Sequence, residues 1–92
     1  MNPEVSFGNV LALYRLGRKK EALEELCNAL EFLGKIPRYL TAKRVRKPKL
    51  HPDTIQLGGD DQAWLYREEM RDVWLQTHGA LEWLKTAVKA LQ

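Results

Sequence analysis

One cysteine, two histidines and no long apolar run set the first limits on this 92-residue chain. Cys27 stands alone, so no disulfide can close within the chain and no metal site can rest on thiolates. On the apolar side of a helical pattern, it is expected as a small buried hydrophobe. His51 lies beside Pro52 and Asp53, and His78 beside Gly79; neither has a metal-ligand partner at a recognisable spacing. No Ser, Thr or Cys sits in a nucleophile-elbow setting. Gly58-Gly59 lacks the lysine and the preceding strand of a phosphate-cradling loop. Asp60-Asp61 and Glu68-Glu69 are adjacent pairs that diverge around a helix, so they read as a cap and a solvated face. These absences predict a protein that is not an enzyme and holds no metal or other cofactor. No stretch approaches the roughly 18 apolar residues of a membrane span. Residues 1–8 lack the charged and apolar regions of a signal peptide. With a free cysteine, this points to an intracellular, cytoplasmic protein, or a nuclear one if the chain is eukaryotic or viral.

Acidic residues are also missing from one long stretch, Lys35 to Lys49. It holds seven of the fifteen Lys and Arg residues: Lys35, Arg38, Lys43, Arg44, Arg46, Lys47 and Lys49. The residues before it carry net −1 and those after it net −3, so this arm outweighs the whole net charge of +3. A positive patch on a mildly acidic body predicts an anionic partner. Ninety-two residues make one domain with a thin core, and 45% hydrophobic content with three Trp excludes a disordered chain.

The periodicity is helical throughout. Asn2, Pro3 and Glu4 suit a helix start, and Phe7, Val10, Leu11 and Tyr14 share one face. Gly17 is a terminator. A second helix runs from about Arg18 to Leu33 with Ala22, Leu26, Ala29 and Leu33 as its stripe, widened by Leu23 and Leu30. The short link at Leu16-Gly17-Arg18 predicts an antiparallel helical hairpin over 1–34. Gly17, Ala22, Leu26 and Ala29, within residues 14–30, resemble the inner part of one tetratricopeptide-repeat hairpin. That family sets Gly at the turn and small residues where two helices approach. The resemblance implies a hairpin of that geometry; with no second copy, it does not imply a peptide-binding array.

Residues 35–59 form a basic connector punctuated by Pro37, Pro48 and Pro52. Pro37 predicts a short helix through Arg46 with Leu40 turned inward, and residues 52–55 a single turn. Tyr39, Leu40, Ile55 and Leu57 would tack the connector to the body. Asp60 is read as the cap of a long C-terminal helix over 60–92, with His78-Gly79 as the place where it kinks or splits. Its stripe is Ala63, Tyr66, Met70, Trp74, Thr77, Leu81, Leu84, Val88 and Leu91. Trp64, Leu65, Leu75 and Trp83 miss that stripe and are candidate residues for an interface with a protein partner or a second copy, a homodimer.

The fold class read from the sequence is therefore all-α in a single domain. Two functions fit. One is a small interaction or regulatory protein that binds a protein partner or itself through helical faces, with the basic arm on an acidic surface. The other is a nucleic-acid-binding protein, dimeric through its long helix, whose arm grips phosphates and whose Tyr39 stacks on an unpaired base.

Overall fold

The computed structural model of the chain describes residues 3–50 and 59–91. Asn2, His51, Ile55, Leu57 and the turn expected at residues 52–55 lie outside the described residues. Among those described, the fold is all-α and has no strand. Its helices are α1 (Pro3–Arg15), α2 (Lys19–Leu33), α3 (Ile36–Thr41), α4 (Asp60–Gln76) and α5 (Ala80–Leu91).

Pro3 opens α1, where its fixed φ and missing N–H carry no penalty. Phe7, Val10 and Leu11 turn into the core, and Tyr14 is half-buried. Gly17 ends the helix at φ +77°. The Arg18 N–H reaches the Leu13 carbonyl at 2.9 Å and the Gly17 N–H reaches that of Tyr14 at 3.0 Å, the paired bonds of a Schellman turn. The chain enters α2 at once, and Ala22, Leu26, Ala29 and Leu33 are all buried. The contact between α1 and α2 is the most extensive between any two helices of the fold.

Cys27 departs from expectation: it is exposed. It lies about 100° around the helix from Leu26. Leu23 and Leu30, which share its side of α2, are themselves only half-buried. The core stops short of that side.

The short helix of the connector is shorter than the sequence suggests. It ends at Thr41, not Arg46, and Ala42 is already extended at φ −68°, ψ 138°. Ile36, Pro37, Tyr39 and Leu40 are buried, and α3 packs against both α4 and α5. The connector thus contributes to the centre of the core.

The C-terminal segment is divided at the expected kink or split point into two helices, α4 and α5, separated by Thr77, His78 and Gly79. Gly79 adopts φ +75°. The break resets the helical phase. In α4, Ala63, Tyr66 and Trp74 are buried, but in α5 the inward line is Ala80, Leu84 and Ala87. Leu81 and Val88, on the expected stripe, are half-buried. The start of α4 also differs: Gly59 takes the cap position, and Asp60 is the first helical residue. Asp61 is nearly buried, and its carboxylate accepts the Gln62 N–H at 2.8 Å.

Trp74 is fully enclosed, and its indole N–H donates to the Tyr66 hydroxyl at 3.1 Å. Tyr66 in turn packs on Phe7 with ring centroids 5.8 Å apart. The end of α1 fastens the α4–α5 corner. There the Tyr14 hydroxyl donates to the His78 carbonyl at 3.1 Å, and the Arg15 Nε to the Thr77 Oγ1 at 2.8 Å.

Candidate functional site

The basic segment begins on α3 and continues as non-helical chain to residue 50. Two arginines of α4 determine its course. Arg67 donates from Nη1 to the carbonyls of Tyr39, at 2.6 Å, and Ala42, and from Nη2 to that of Lys43 at 2.9 Å. Arg71 donates from Nε to the Leu40 carbonyl at 3.1 Å. The last carbonyls of a helix have no partner within it, and they form the negative end of its dipole. Arg67 and Arg71 take up that role, and they reach one residue past the cap. Continuing α3 would require the Tyr39 and Leu40 carbonyls to accept from residues 43 and 44. Their engagement with arginine, and the repulsion among four clustered basic side chains, explain why the helix stops before Lys43.

Neither arginine was identified as functional from sequence. A faint signal exists: Arg67 and Arg71 are like charges at i, i+4, an unfavourable pair on an isolated helix. Such a pair requires a neighbour that rewards it, and here the neighbour is a set of carbonyl oxygens. Burial, and then the charge of Arg71, lower the Arg67 pKa from its ordinary value, with Glu68 acting the other way. A guanidinium still remains charged at any physiological pH.

Beyond the clamp, the segment is held at two further points. Val45 is half-buried against the core. Lys47 places its Nζ 5.1 Å from the centroid of the Trp64 ring, a cation–π contact that joins the segment to α4. Lys35 forms an ion pair with Asp60 at 3.3 Å. Arg38 lies over the Tyr39 ring at 5.3 Å. Among the described residues, Lys43, Arg44, Arg46 and Lys49 are exposed and make no ion pair with an acidic side chain. Asp60 engages the arm through Lys35.

Arg38, Arg44 and Arg46 line one concavity of about 270 Å³, together with Tyr39, Ala42 and Val45. The structure therefore brings three of the seven basic residues around one hollow and leaves Lys43, Lys47 and Lys49 along the same segment. Tyr39 is only 5% exposed, which overturns its expected role as a platform for an unpaired base. Burial of its ring between α3 and the helices beneath supports Arg38 instead.

The four candidate interface residues do not lie on one helix. Trp64, Leu65 and Leu75 belong to α4 and Trp83 to α5. Trp64 and Trp83 are half-buried against the core, and the Trp83 ring packs on Tyr14 at 5.3 Å. Leu65 is half-buried and Leu75 is exposed. A separate apolar groove of about 460 Å³ runs between α1 and α4, lined mainly by Leu11, Ala12, Leu16, Met70 and Val73. Among the described residues, no three His, Cys, Asp or Glu side chains gather as a metal-ligand group, and no helix is long and apolar enough to cross a membrane. Comparison with protein-family models, curated proteins and solved structures finds no match.

Proposed function

We propose that this protein is a non-enzymatic nucleic-acid-binding protein that grips phosphates with its basic segment. The observation that carries this reading is the Arg67–Arg71 clamp on the carbonyls of Tyr39, Leu40, Ala42 and Lys43. A run of like charges repels itself and costs stability unless a partner neutralises it. This chain uses two further arginines to hold such a run in one course against the body. The side chains of Lys43, Arg44, Arg46 and Lys49 stay exposed. Preorganisation of this kind lowers the entropy lost when an anionic chain binds.

The test is binding of a mixed-sequence oligonucleotide across a salt series. Arg38, Lys43, Arg44, Arg46, Lys47 and Lys49 supply six contacts; Lys35 is left out because it serves Asp60. For a single strand, six separate phosphate contacts give a log–log salt slope of about −4, and about −3 where the three arginines share one phosphate. Changing Lys43, Arg44, Arg46 and Lys47 to Ala removes most of that slope. Failure to bind at low salt sinks the reading.

The second reading, a protein that docks a protein partner or its own twin, draws on the groove between α1 and α4. Leu16 at its edge is 69% exposed, and Leu75 on α4 is 52% exposed. Sedimentation of the wild type and of Leu16→Asp tests self-association. A wild-type mass above that of the monomer, reduced by the substitution, supports it.

A further inference from the structure

We propose that the hollow lined by Arg38, Arg44 and Arg46 is a site for a phosphomonoester dianion, which in this protein is the terminal phosphate of a nucleic-acid strand. The proposal rests on the nucleic-acid reading for the source of the phosphate, but its chemistry follows from the hollow.

Three features set this place apart from the rest of the segment. First, its cations converge. Arg44 and Arg46 flank Val45, which is half-buried against the core while its two neighbours are exposed. Both line the hollow, and Val45 between them lines it as well. Arg38 reaches the same hollow from α3, where its guanidinium lies on the Tyr39 ring. Second, among the described residues the lining contains no acidic side chain, and no ion pair neutralises the three arginines. Third, the hollow has an inner wall. Tyr39 is buried and Ala42 is half-buried, so a strand cannot thread through it and continue inward.

These features select among phosphates. A phosphodiester inside a strand carries one negative charge and two free oxygens, and the chain must leave in two directions. A phosphomonoester carries close to two charges at neutral pH, presents three terminal oxygens and leaves in one direction. Three guanidinium forks match three oxygens, since each fork can donate two parallel N–H bonds to an oxyanion. Lys43 and Lys49, outside the hollow, act on internal phosphates as point charges. The segment thus divides into a lysine-rich track for the backbone and an arginine-lined stop for its end.

The experiment compares one short single strand in three forms: 5′-phosphorylated, 3′-phosphorylated, and with hydroxyls at both ends. Binding to the full-length protein is measured by fluorescence anisotropy at a salt concentration of about 0.15 M. At least one terminal phosphate is expected to tighten binding about fivefold, equivalent to one added hydrogen bond of about 1 kcal/mol. Whether the 5′ or the 3′ form does so identifies the strand end. The preference disappears in Arg44→Ala/Arg46→Ala, whereas Lys43→Ala/Lys49→Ala weakens all three strands alike. It also shrinks below the second phosphate pKa of about 6. Equal affinity for the three strands overturns the terminal-phosphate site and leaves the nucleic-acid reading standing. If no strand binds even at low salt, inorganic phosphate decides. Shifts of arginine side-chain N–H signals that Arg44→Ala/Arg46→Ala abolishes retain a phosphate hollow without the strand; no shift removes both.

Discussion

Arg67 donates its Nη1 to the Tyr39 carbonyl at 2.6 Å and so ties α4 to the last turn of α3 across 28 residues of sequence. The same guanidinium reaches the carbonyls of Ala42 and Lys43. One side chain therefore both closes a helix and sets the direction in which the basic segment leaves it.

Arg67→Ala is expected to lower unfolding stability by about 2 kcal/mol, since hydrogen bonds from charged donors are lost and partly buried carbonyls are left without partners. Urea denaturation measures this. Arg67→Lys keeps the charge but lacks the planar fork, so it restores less than half of the loss. The Lys variant also separates charge from geometry in function. Its oligonucleotide affinity falls although the formal charge is unchanged, and wild-type affinity in that variant would show that the clamp does not position the segment.

Tyr66 and Trp74 give a second prediction. Burial raises the Tyr66 phenol from 10.0 to about 12; the hydrogen bond with Trp74 pulls it down, and the charge of Glu4 pushes it further up. The unfolded state ionises first as pH rises. The stability contributed by the neutral phenol is therefore complete below pH 10 and is lost as pH rises towards the folded value of about 12. Two units correspond to a loss of about 2–3 kcal/mol. Tyr66→Phe removes this alkaline slope. At neutral pH it costs about 1–2 kcal/mol, because the enclosed Trp74 N–H loses its acceptor. Stability against pH for both proteins checks the two effects together.

How much of this was legible in the sequence depends on the reach of each interaction. The all-α class and the stripe Ala22, Leu26, Ala29 and Leu33 rest on local periodicity, and the structure buries all four residues. Gly17 was legible for the same reason, because a left-handed residue ends a helix whatever lies around it. Cys27 was misjudged because its burial depends on where the neighbouring helices stop, not on its own helix. The cap expected at Asp60 falls one residue earlier, at Gly59, and the Asp60 carboxylate pairs with Lys35, far away in sequence. The charge of the basic segment was plain, but its anchorage was not. The clamp joins arginine side chains to backbone carbonyls, and a carbonyl has no letter in a sequence. The stripe read across residues 60–92 does not carry over into α5, because the left-handed Gly79 interrupts the helical phase.

Glu69 supplies a prediction in the opposite pH range. Its carboxyl is raised above its ordinary value, first by a hydrogen bond with Glu4, then by that group's charge, with burial adding to both. The folded state thus holds this proton more firmly than the unfolded state. The associated stability is present in acid and is lost as pH rises through the raised folded value. Glu69→Gln is expected to leave the acidic midpoint of urea unfolding nearly unchanged and to raise the neutral one, flattening the profile. An unchanged neutral midpoint would contradict the pairing.

Gly17 and Gly79 have nearly the same backbone, at φ +77° and +75°, but different surroundings. A side chain at Gly17 would meet nothing within 4 Å, whereas a Cβ at Gly79 would stand 2.9 Å from the Tyr14 hydroxyl. Gly17→Ala therefore reports the left-handed conformation alone, at about 1 kcal/mol. Gly79→Ala adds a collision with a hydroxyl that donates to the neighbouring His78 carbonyl. It is expected to cost about 2 kcal/mol or more, because the ring must move and that bond is strained or lost. Tyr14→Phe removes the colliding oxygen. In Tyr14→Phe, Gly79→Ala should then cost close to what Gly17→Ala costs in the wild type. A double-mutant cycle by urea unfolding measures the difference, and coupling near zero would mean that the α4–α5 corner does not depend on Tyr14. The corner fixes where α5 lies against α3, and α3 carries the start of the basic segment. Gly79→Ala should accordingly loosen amide-exchange protection in α5 before it affects α2, whose contacts are mainly with α1.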